Sequence, residues 1–116
     1  MGNPVVHFEV IGENQQLLNE FYSGIFDWKI DPIMSEYSLV TTGSGIAGGI
    51  GAMGEARRHV TFYVEVADVA AALKLIESKG GKLAFGPHPV PGGTIVASFT
   101  DPEGHLIGLV QQPLAA

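Results

Sequence analysis

Asp101-Pro102-Glu103-Gly104-His105-Leu106-Ile107-Gly108-Leu109-Val110, near the C-terminus, is the stretch that decides the fold. Its first four residues have the composition of a tight turn, in which Pro fixes φ and Gly takes a conformation that other residues avoid. The apolar run that follows, from His105 to Gln111, has the length of a strand and predicts the last strand of the chain. The turn fixes the register of that strand, so the place of Gly108 in it is well defined.

Further back, the chain begins with a strand, a helix and three short strands. Residues 5–10 alternate between apolar and polar side chains, with His7 and Glu9 on one face, and predict a strand. Helical spacing predicts a helix from about Glu13 to Gly24 or a little beyond. Its apolar stripe, which we expect to face the core, consists of Leu17, Leu18, Phe21, Tyr22, Ile25 and Phe26.

The same order then occurs a second time. Residues 59–66 alternate again, Asp68 is a good N-cap for a second helix, and Gly80-Gly81 ends that helix. Three more strands complete the chain. We therefore predict one domain, 1–116, made of two βαβββ units at about 4–54 and about 59–112. Each unit alone leaves one sheet face bare, so the halves are expected to pack together within one chain or to be exchanged between two chains.

The composition excludes several classes of function. The formal net charge is −6 with only six Lys and Arg, which argues against a nucleic-acid partner. The chain has no Cys, so disulfides, thiolate nucleophiles and thiolate metal sites are excluded. The uncharged run at residues 38–54 is too short and too rich in Gly to span a membrane. A secretion signal requires basic residues near its N-terminus, and here no basic residue precedes Lys29. We therefore expect a cytoplasmic protein.

One motif is rejected. Residues 43–48 match the GxGxxG pattern of dinucleotide sites, which requires that a helix open there to receive the pyrophosphate. Gly49, Gly51 and Gly54 follow this motif, and each disfavours a helix by about 1 kcal/mol relative to Ala.

Taken together, the residues resemble the glyoxalase/bleomycin-resistance/extradiol-dioxygenase superfamily, also called vicinal oxygen chelate proteins. The resemblance is carried by His7-Phe8-Glu9-Val10, Phe21-Tyr22 with Phe26-Asp27-Trp28, Val64-Glu65-Val66 with Asp68, Gly80-Gly81-Lys82, and Asp101-Pro102-Glu103-Gly104 with Leu109. It implies an α+β fold in which two βαβββ units form a cupped mixed sheet. It also implies a small-molecule site in the cup and a homodimer.

The resemblance further implies His and Glu metal ligands on the first and last strands of each unit. Its last acidic ligand stands four residues after the glycine of the turn, and that position is Gly108 here. Residues 46–50, at the end of the first unit, contain no acid. The first strands leave two pairs of alternatives open, His7 or Val5, and His59 or Thr61. Since a divalent metal requires three or four converging ligands, we predict no metal and no other cofactor.

The candidate site therefore consists of side chains that line the cup. His7 is either a partly buried, hydrogen-bonded histidine or a general base and polar anchor, because its ordinary pKa suits proton transfer near neutrality. We predict ligand contacts for His7, Glu9, Trp28, Thr61 and Tyr63. His88 and His105 are expected to be exposed.

Three functions are compatible with these residues. The first is metal-free binding of a small molecule, for which the acidic balance suggests a cationic ligand. The second is a lyase, isomerase or dioxygenase-type enzyme, with or without metal, whose altered site uses His7, His59 and either Glu9 or Glu65. The third is an interaction module.

Overall fold

The computed structural model describes residues 2–52 and 58–113. The order of elements is β1 (Val5–Ile11), α1 (Gln15–Phe26), β2 (Lys29–Met34), β3 (Tyr37–Thr41), β4 (Ala47–Gly51), β5 (His59–Glu65), α2 (Val69–Ser78), β6 (Lys82–Pro89), β7 (Ile95–Thr100) and β8 (Leu106–Gln111). The predicted α+β class, with the βαβββ order twice, is confirmed.

The chain divides into two compact units. The N-terminal unit is Val6–Phe62, and the C-terminal unit combines Met1–Val5 with Tyr63–Ala116. The division falls within β5, so His59 and Thr61 belong to the N-terminal unit.

In the N-terminal unit the strands lie in the order β2-β3-β4-β1. The first and last strands, β1 and β4, are parallel, whereas β2 with β3 and β3 with β4 are antiparallel. Val40 and Ile50 are almost completely buried and form the centre of the unit. Asn14 caps α1 by accepting a hydrogen bond from the Leu17 N–H.

The C-terminal unit repeats this arrangement with the strand order β5-β8-β7-β6. Here β5 and β8 are parallel, and the other neighbours are antiparallel. Asp68 caps α2 as predicted, and the helix buries its apolar stripe against the sheet. The core cluster is formed by Val69, Leu73, Ala97 and Leu109.

The turn before β8 has the predicted form. The Asp101 carboxylate accepts hydrogen bonds of 2.9 Å from the backbone N–H groups of Glu103 and His105, and Gly104 has a φ of 90°. The hydrogen bond from the His105 N–H is the main reason why the pKa of Asp101 is lowered. These bonds define where β8 begins.

Helix α1 departs from the expectation for its apolar stripe. Leu17, Phe21 and Ile25 are all more than half exposed, and no residue of this helix is buried. Polar side chains face the sheet instead: the Asn19 amide donates to the buried Ser38 hydroxyl at 2.9 Å. These hydrogen bonds hold a polar side of the helix against the sheet, while Tyr22 of the apolar stripe stacks on Trp28.

Gln15 supports the same rotation one turn earlier in α1. In the amide orientation that satisfies all its partners, its oxygen accepts from Ser38 Oγ at 2.7 Å and from the Tyr37 N–H at 3.1 Å. Its nitrogen donates to the Ser35 carbonyl at 2.7 Å. The first two turns of α1 are therefore attached to β3 and the residues before it through polar contacts.

The Gly-rich segment 43–48 opens no helix. It forms bends at 43–45 and then enters β4, so the predicted absence of a helix at this motif is confirmed. The polar residues 55–58 are expected from the sequence to connect the two halves of the chain, and of these only Arg58 belongs to the described residues. Neither helix of the described chain is long and apolar enough to cross a membrane.

Candidate functional site

The alternation of β1 separates its polar and aromatic side chains onto opposite faces. Phe8 packs on the face that carries α1, where its ring lies 5.4 Å from that of Trp28. His7 and Glu9 therefore point to the other face, which we call the inner face of the N-terminal unit. Both side chains are half-buried there.

A residue that sequence reasoning did not select, Tyr37 on β3, connects these two side chains. Its hydroxyl donates a hydrogen bond of 3.0 Å to the Glu9 carboxylate and lies 3.1 Å from Nε2 of His7. With its proton committed to Glu9, the Tyr37 oxygen accepts from His7 when Nε2 carries a proton. Tyr37 thus bridges a histidine and a carboxylate that are neighbours on one strand face.

Glycines on β4 make this bridge possible. Gly49 lies between Glu9 of β1 and Leu39 of β3 in the strand register, and Gly51 pairs with Tyr37. A β-carbon at Gly49 would overlap the hydroxyl and ring of Tyr37. The Tyr37 side chain therefore lies across β4 only because that strand has no side chains at these positions.

His59 extends the group from the start of β5. Its Nε2 lies 3.7 Å from Oε1 of Glu9, and the two side chains are 23% and 12% exposed. His7, Glu9, Tyr37 and His59 together form what we call the polar cluster. His59, one of the two alternatives on β5, thus lies beside Glu9.

Thr61, two residues along β5, is buried and lies in the same unit as the polar cluster. Its hydroxyl lies 3.4 Å from the Phe62 carbonyl oxygen, to which it donates a long hydrogen bond. This contact within its own strand gives Thr61 a local structural partner.

The electrostatics of the cluster favour a neutral His7. Burial lowers the pKa of His7 below its ordinary value, and the nearby Glu9 carboxylate raises it by less. The imidazole is therefore neutral near pH 7 and can accept a hydrogen bond or a proton. This places an uncharged base beside a phenol and a carboxylate.

The C-terminal unit places Tyr63 directly against Gly108. The two residues are paired in the parallel register of β5 and β8, and the Tyr63 ring lies over the glycine. A β-carbon at Gly108 would overlap that ring. An acidic side chain at the position where the resemblance implies one would therefore require Tyr63 to move.

Within residues 2–52 and 58–113, no three His, Asp or Glu side chains are close enough together to hold a metal ion. In the polar cluster, the space between His7 Nε2 and the Glu9 carboxylate is taken by the Tyr37 hydroxyl. The first strand of each βαβββ unit thus supplies a histidine, His7 or His59, and hydrogen bonds through Tyr37 connect His7 to Glu9.

The other residues selected from the sequence lie elsewhere. Trp28 stacks on Tyr22 at 5.5 Å between ring centroids, on the α1 side of the sheet and opposite the polar cluster. His88 is exposed on β6. His105 is exposed as well, and its Nδ1 lies 3.0 Å from the Asp101 carboxylate.

Two βαβββ units, each with a parallel pair formed by its first and last strands, define the class of this protein. The chain belongs to the Glyoxalase/Bleomycin resistance protein/Dioxygenase superfamily, whose family model matches residues 5–109. The family suggested by the sequence is therefore confirmed.

Individual relatives are more distant. A segment of 52 residues is 40% identical to a probable chloroplastic lactoylglutathione lyase of Arabidopsis thaliana, and covers 44% of this chain but only 15% of that protein. Methylmalonyl-CoA epimerase from Mycobacterium tuberculosis has a similar structure, with a TM-score of 0.68 at 15% identity over 95% of this chain and 88% of the epimerase. A superfamily member from Vibrio splendidus has the same TM-score, 0.68, at 15% identity over 96% and 100% of the two chains. Because their sequence identities are this low, these two structures show a shared fold only.

Proposed function

We propose that this chain binds a small organic molecule at the inner face of the N-terminal unit, without a metal ion. The polar cluster supplies the contacts, and the observation that carries the proposal is the Tyr37 hydroxyl bridging His7 and Glu9. Half-buried polar groups held in a fixed arrangement on a sheet face are suited to the recognition of a ligand's polar atoms. A cytoplasmic location stays a prediction from the sequence.

The charge of the cluster favours a cationic or strongly hydrogen-bond-donating ligand. Glu9 supplies a carboxylate, while His7 is held neutral by burial. The whole chain has a formal net charge of −6, which attracts cations to its surface. A ligand with an ammonium group beside an apolar body matches both features.

Calorimetric titration with benzyltrimethylammonium, and with benzyl alcohol as the uncharged matched probe, tests this proposal. We expect heat of binding with the cation and about tenfold or more weaker binding in Glu9→Gln, which keeps the shape but removes the charge. Tyr37→Phe should also weaken binding, whereas His105→Ala, an exposed histidine in the other unit, should not. Flat heats with this probe and with a wider panel of ammonium compounds contradict the proposal.

A second function, proton transfer without a metal, is favoured by the lowered pKa of His7. A neutral imidazole can take a proton from a carbon next to a carbonyl group, leaving an enolate and an imidazolium. Return of that proton, or of a solvent proton, to the same carbon regenerates neutral His7 and gives the starting compound or its epimer. The Tyr37 hydroxyl and the Glu9 carboxylate lie close enough to stabilise the imidazolium.

The names of the relatives suggest the probes for this reaction. Methylmalonyl-CoA and lactoylglutathione are incubated with the protein in D₂O in the presence of EDTA, and loss of the proton next to the carbonyl group is followed by NMR. The reaction predicts exchange that persists with EDTA and is lost in His7→Ala, with His105→Ala as the control. Exchange that disappears with EDTA supports a metal-dependent enzyme instead. Equal exchange in wild type and His7→Ala removes His7 as the base.

A further inference from the structure

The N-terminal unit places a second carboxylate in line with Glu9. In the strand register, Asp31 of β2 pairs with Leu39 of β3. Leu39 pairs in turn with Gly49 of β4, and Gly49 pairs with Glu9 of β1. These four residues therefore lie in one row across the sheet, with an acidic residue at each end.

The side chains of this row share the inner face. Tyr37 points to that face, where it meets Glu9, and Leu39 stands two residues further along β3. Because side chains alternate along a strand, Leu39 points to the inner face as well, whereas Ser38 between them is bound to α1. Opposed residues of an antiparallel pair lie on the same face, so Asp31 follows Leu39.

Apolar groups lie between the two carboxylates. Leu39 is 43% exposed, and the Tyr37 ring lies over Gly49. Neighbouring strands are about 4.8 Å apart, so the three steps from Asp31 to Glu9 span about 14 Å along the sheet. The inner face thus offers two negative charges that are separated by an apolar surface of this length.

We infer that the ligand of this face is a linear molecule with two ammonium groups joined by an apolar chain. The inference rests on the proposed function, because Glu9 holds the first ammonium group in both. Asp31 is the partner of the second ammonium group, and Leu39 and the Tyr37 ring support the chain between them. The negative face of a tyrosine ring also attracts a nearby cation. The inner face therefore selects a ligand by the distance between its charges as well as by their sign.

The other charged and titratable groups of this face are few. Lys29 lies two residues before Asp31 on the same face of β2, so its positive charge opposes a second ammonium group. His7, whose pKa is lowered by burial, adds no charge near pH 7, and His59 lies beside Glu9 at the far end of the row. Strands β3 and β4 contain no Asp, Glu, Lys, Arg or His. Lys29 therefore supplies a variant whose effect should be opposite in sign to that of Asp31.

NMR titration with octane-1,8-diamine, and with octylamine as the matched probe that has one ammonium group, tests the inference. The wild type should bind the diamine about twofold to fivefold more tightly than octylamine, as expected for one additional exposed ion pair. Asp31→Asn should reduce the affinity for the diamine to that for octylamine, and should leave octylamine binding unchanged. Lys29→Gln should strengthen diamine binding instead. Both positions are exposed, so circular dichroism should show an intact fold in each variant.

Glu20→Gln is the matched control, because it changes the net charge by the same amount as Asp31→Asn. Glu20 is exposed on α1, on the opposite side of the sheet, and its substitution should leave diamine binding as in the wild type. Equal affinities of the wild type for the two amines, or equal losses in Asp31→Asn and Glu20→Gln, overturn the inference and leave the proposed function in place. Binding of neither amine, or affinities for both that Glu9→Gln leaves unchanged, overturn the proposed function and this inference with it.

Discussion

The hydroxyl of Tyr37 lies directly over Gly49 of the neighbouring strand, at a point where any β-carbon would overlap it. From there it reaches His7 and Glu9, at 3.1 Å and 3.0 Å. The polar cluster therefore depends on the missing side chain at Gly49 as well as on the residues that form it.

The substitution Gly49→Ala should break this arrangement. Because the added methyl group overlaps both hydroxyl and ring, Tyr37 must move, and we expect a loss of about 1–3 kcal/mol in the free energy of unfolding. Urea denaturation measures this loss. The control is Gly24→Ala in α1, where a β-carbon meets open space and helix propensity predicts a gain of about 0.5–1 kcal/mol. A Gly49→Ala variant as stable as the wild type contradicts this packing.

In the C-terminal unit, the packing of Tyr63 should depend in the same way on the missing side chain at Gly108. Gly108→Ala is expected to cost about 1–3 kcal/mol because the methyl group overlaps the Tyr63 ring. In a Tyr63→Ala background the overlap is gone, and the same substitution should cost much less. A double-mutant cycle measures this coupling. Strict additivity of the two substitutions would falsify the contact.

The free energy of unfolding should decrease as the pH is lowered through the titration of His7. Its folded-state pKa lies below the ordinary value of 6.5, so above that pH the contribution of His7 is constant. Below it the unfolded chain binds the proton first, and stability decreases towards the folded-state pKa with a slope of up to about 1.4 kcal/mol per pH unit.

Urea denaturation between about pH 7.5 and about pH 5 measures this slope. His7→Gln should remove it, whereas His88→Gln, at an exposed position, should leave it in place. Asp101 titrates below this window, because its pKa is lowered from an ordinary value of 3.8. A slope that is the same in wild type and His7→Gln contradicts the assignment.

The buried hydroxyl of Ser38 should contribute more to the free energy of unfolding than the hydroxyl of an exposed serine. Ser38→Ala removes the partner of the Asn19 amide and of the Gln15 oxygen at a position with 0% exposure. The Gln15 oxygen keeps its hydrogen bond from the Tyr37 N–H, but the Asn19 amide loses its acceptor, which is expected to cost about 1–3 kcal/mol. Ser44→Ala, at an exposed bend, should change the unfolding free energy by less than about 0.5 kcal/mol. Equal effects of the two substitutions in urea denaturation contradict the role given to Ser38.

Local chemistry was sufficient to predict the architecture. The caps at Asn14 and Asp68, the turn at 101–104 and the alternation of β1 and β5 each depend on residues close in sequence. Such signals specify the type of each element and its order, and this order together with the quoted residues carries the resemblance to the family. The same register argument predicted that position 108 holds no acidic ligand.

Two features were decided only by the tertiary structure. Tyr37 joins His7 and Glu9 because β3, β4 and β1 are adjacent in a particular register, and residues about 30 apart in sequence carry no local signal of that pairing. The hydrogen bonds of Asn19 and Gln15 to the buried Ser38 place polar side chains of α1 against the sheet, and this pairing across the fold has no local signal. The apolar periodicity of a helix gives the width of its stripe, but whether the sheet or another surface covers that stripe depends on what lies opposite.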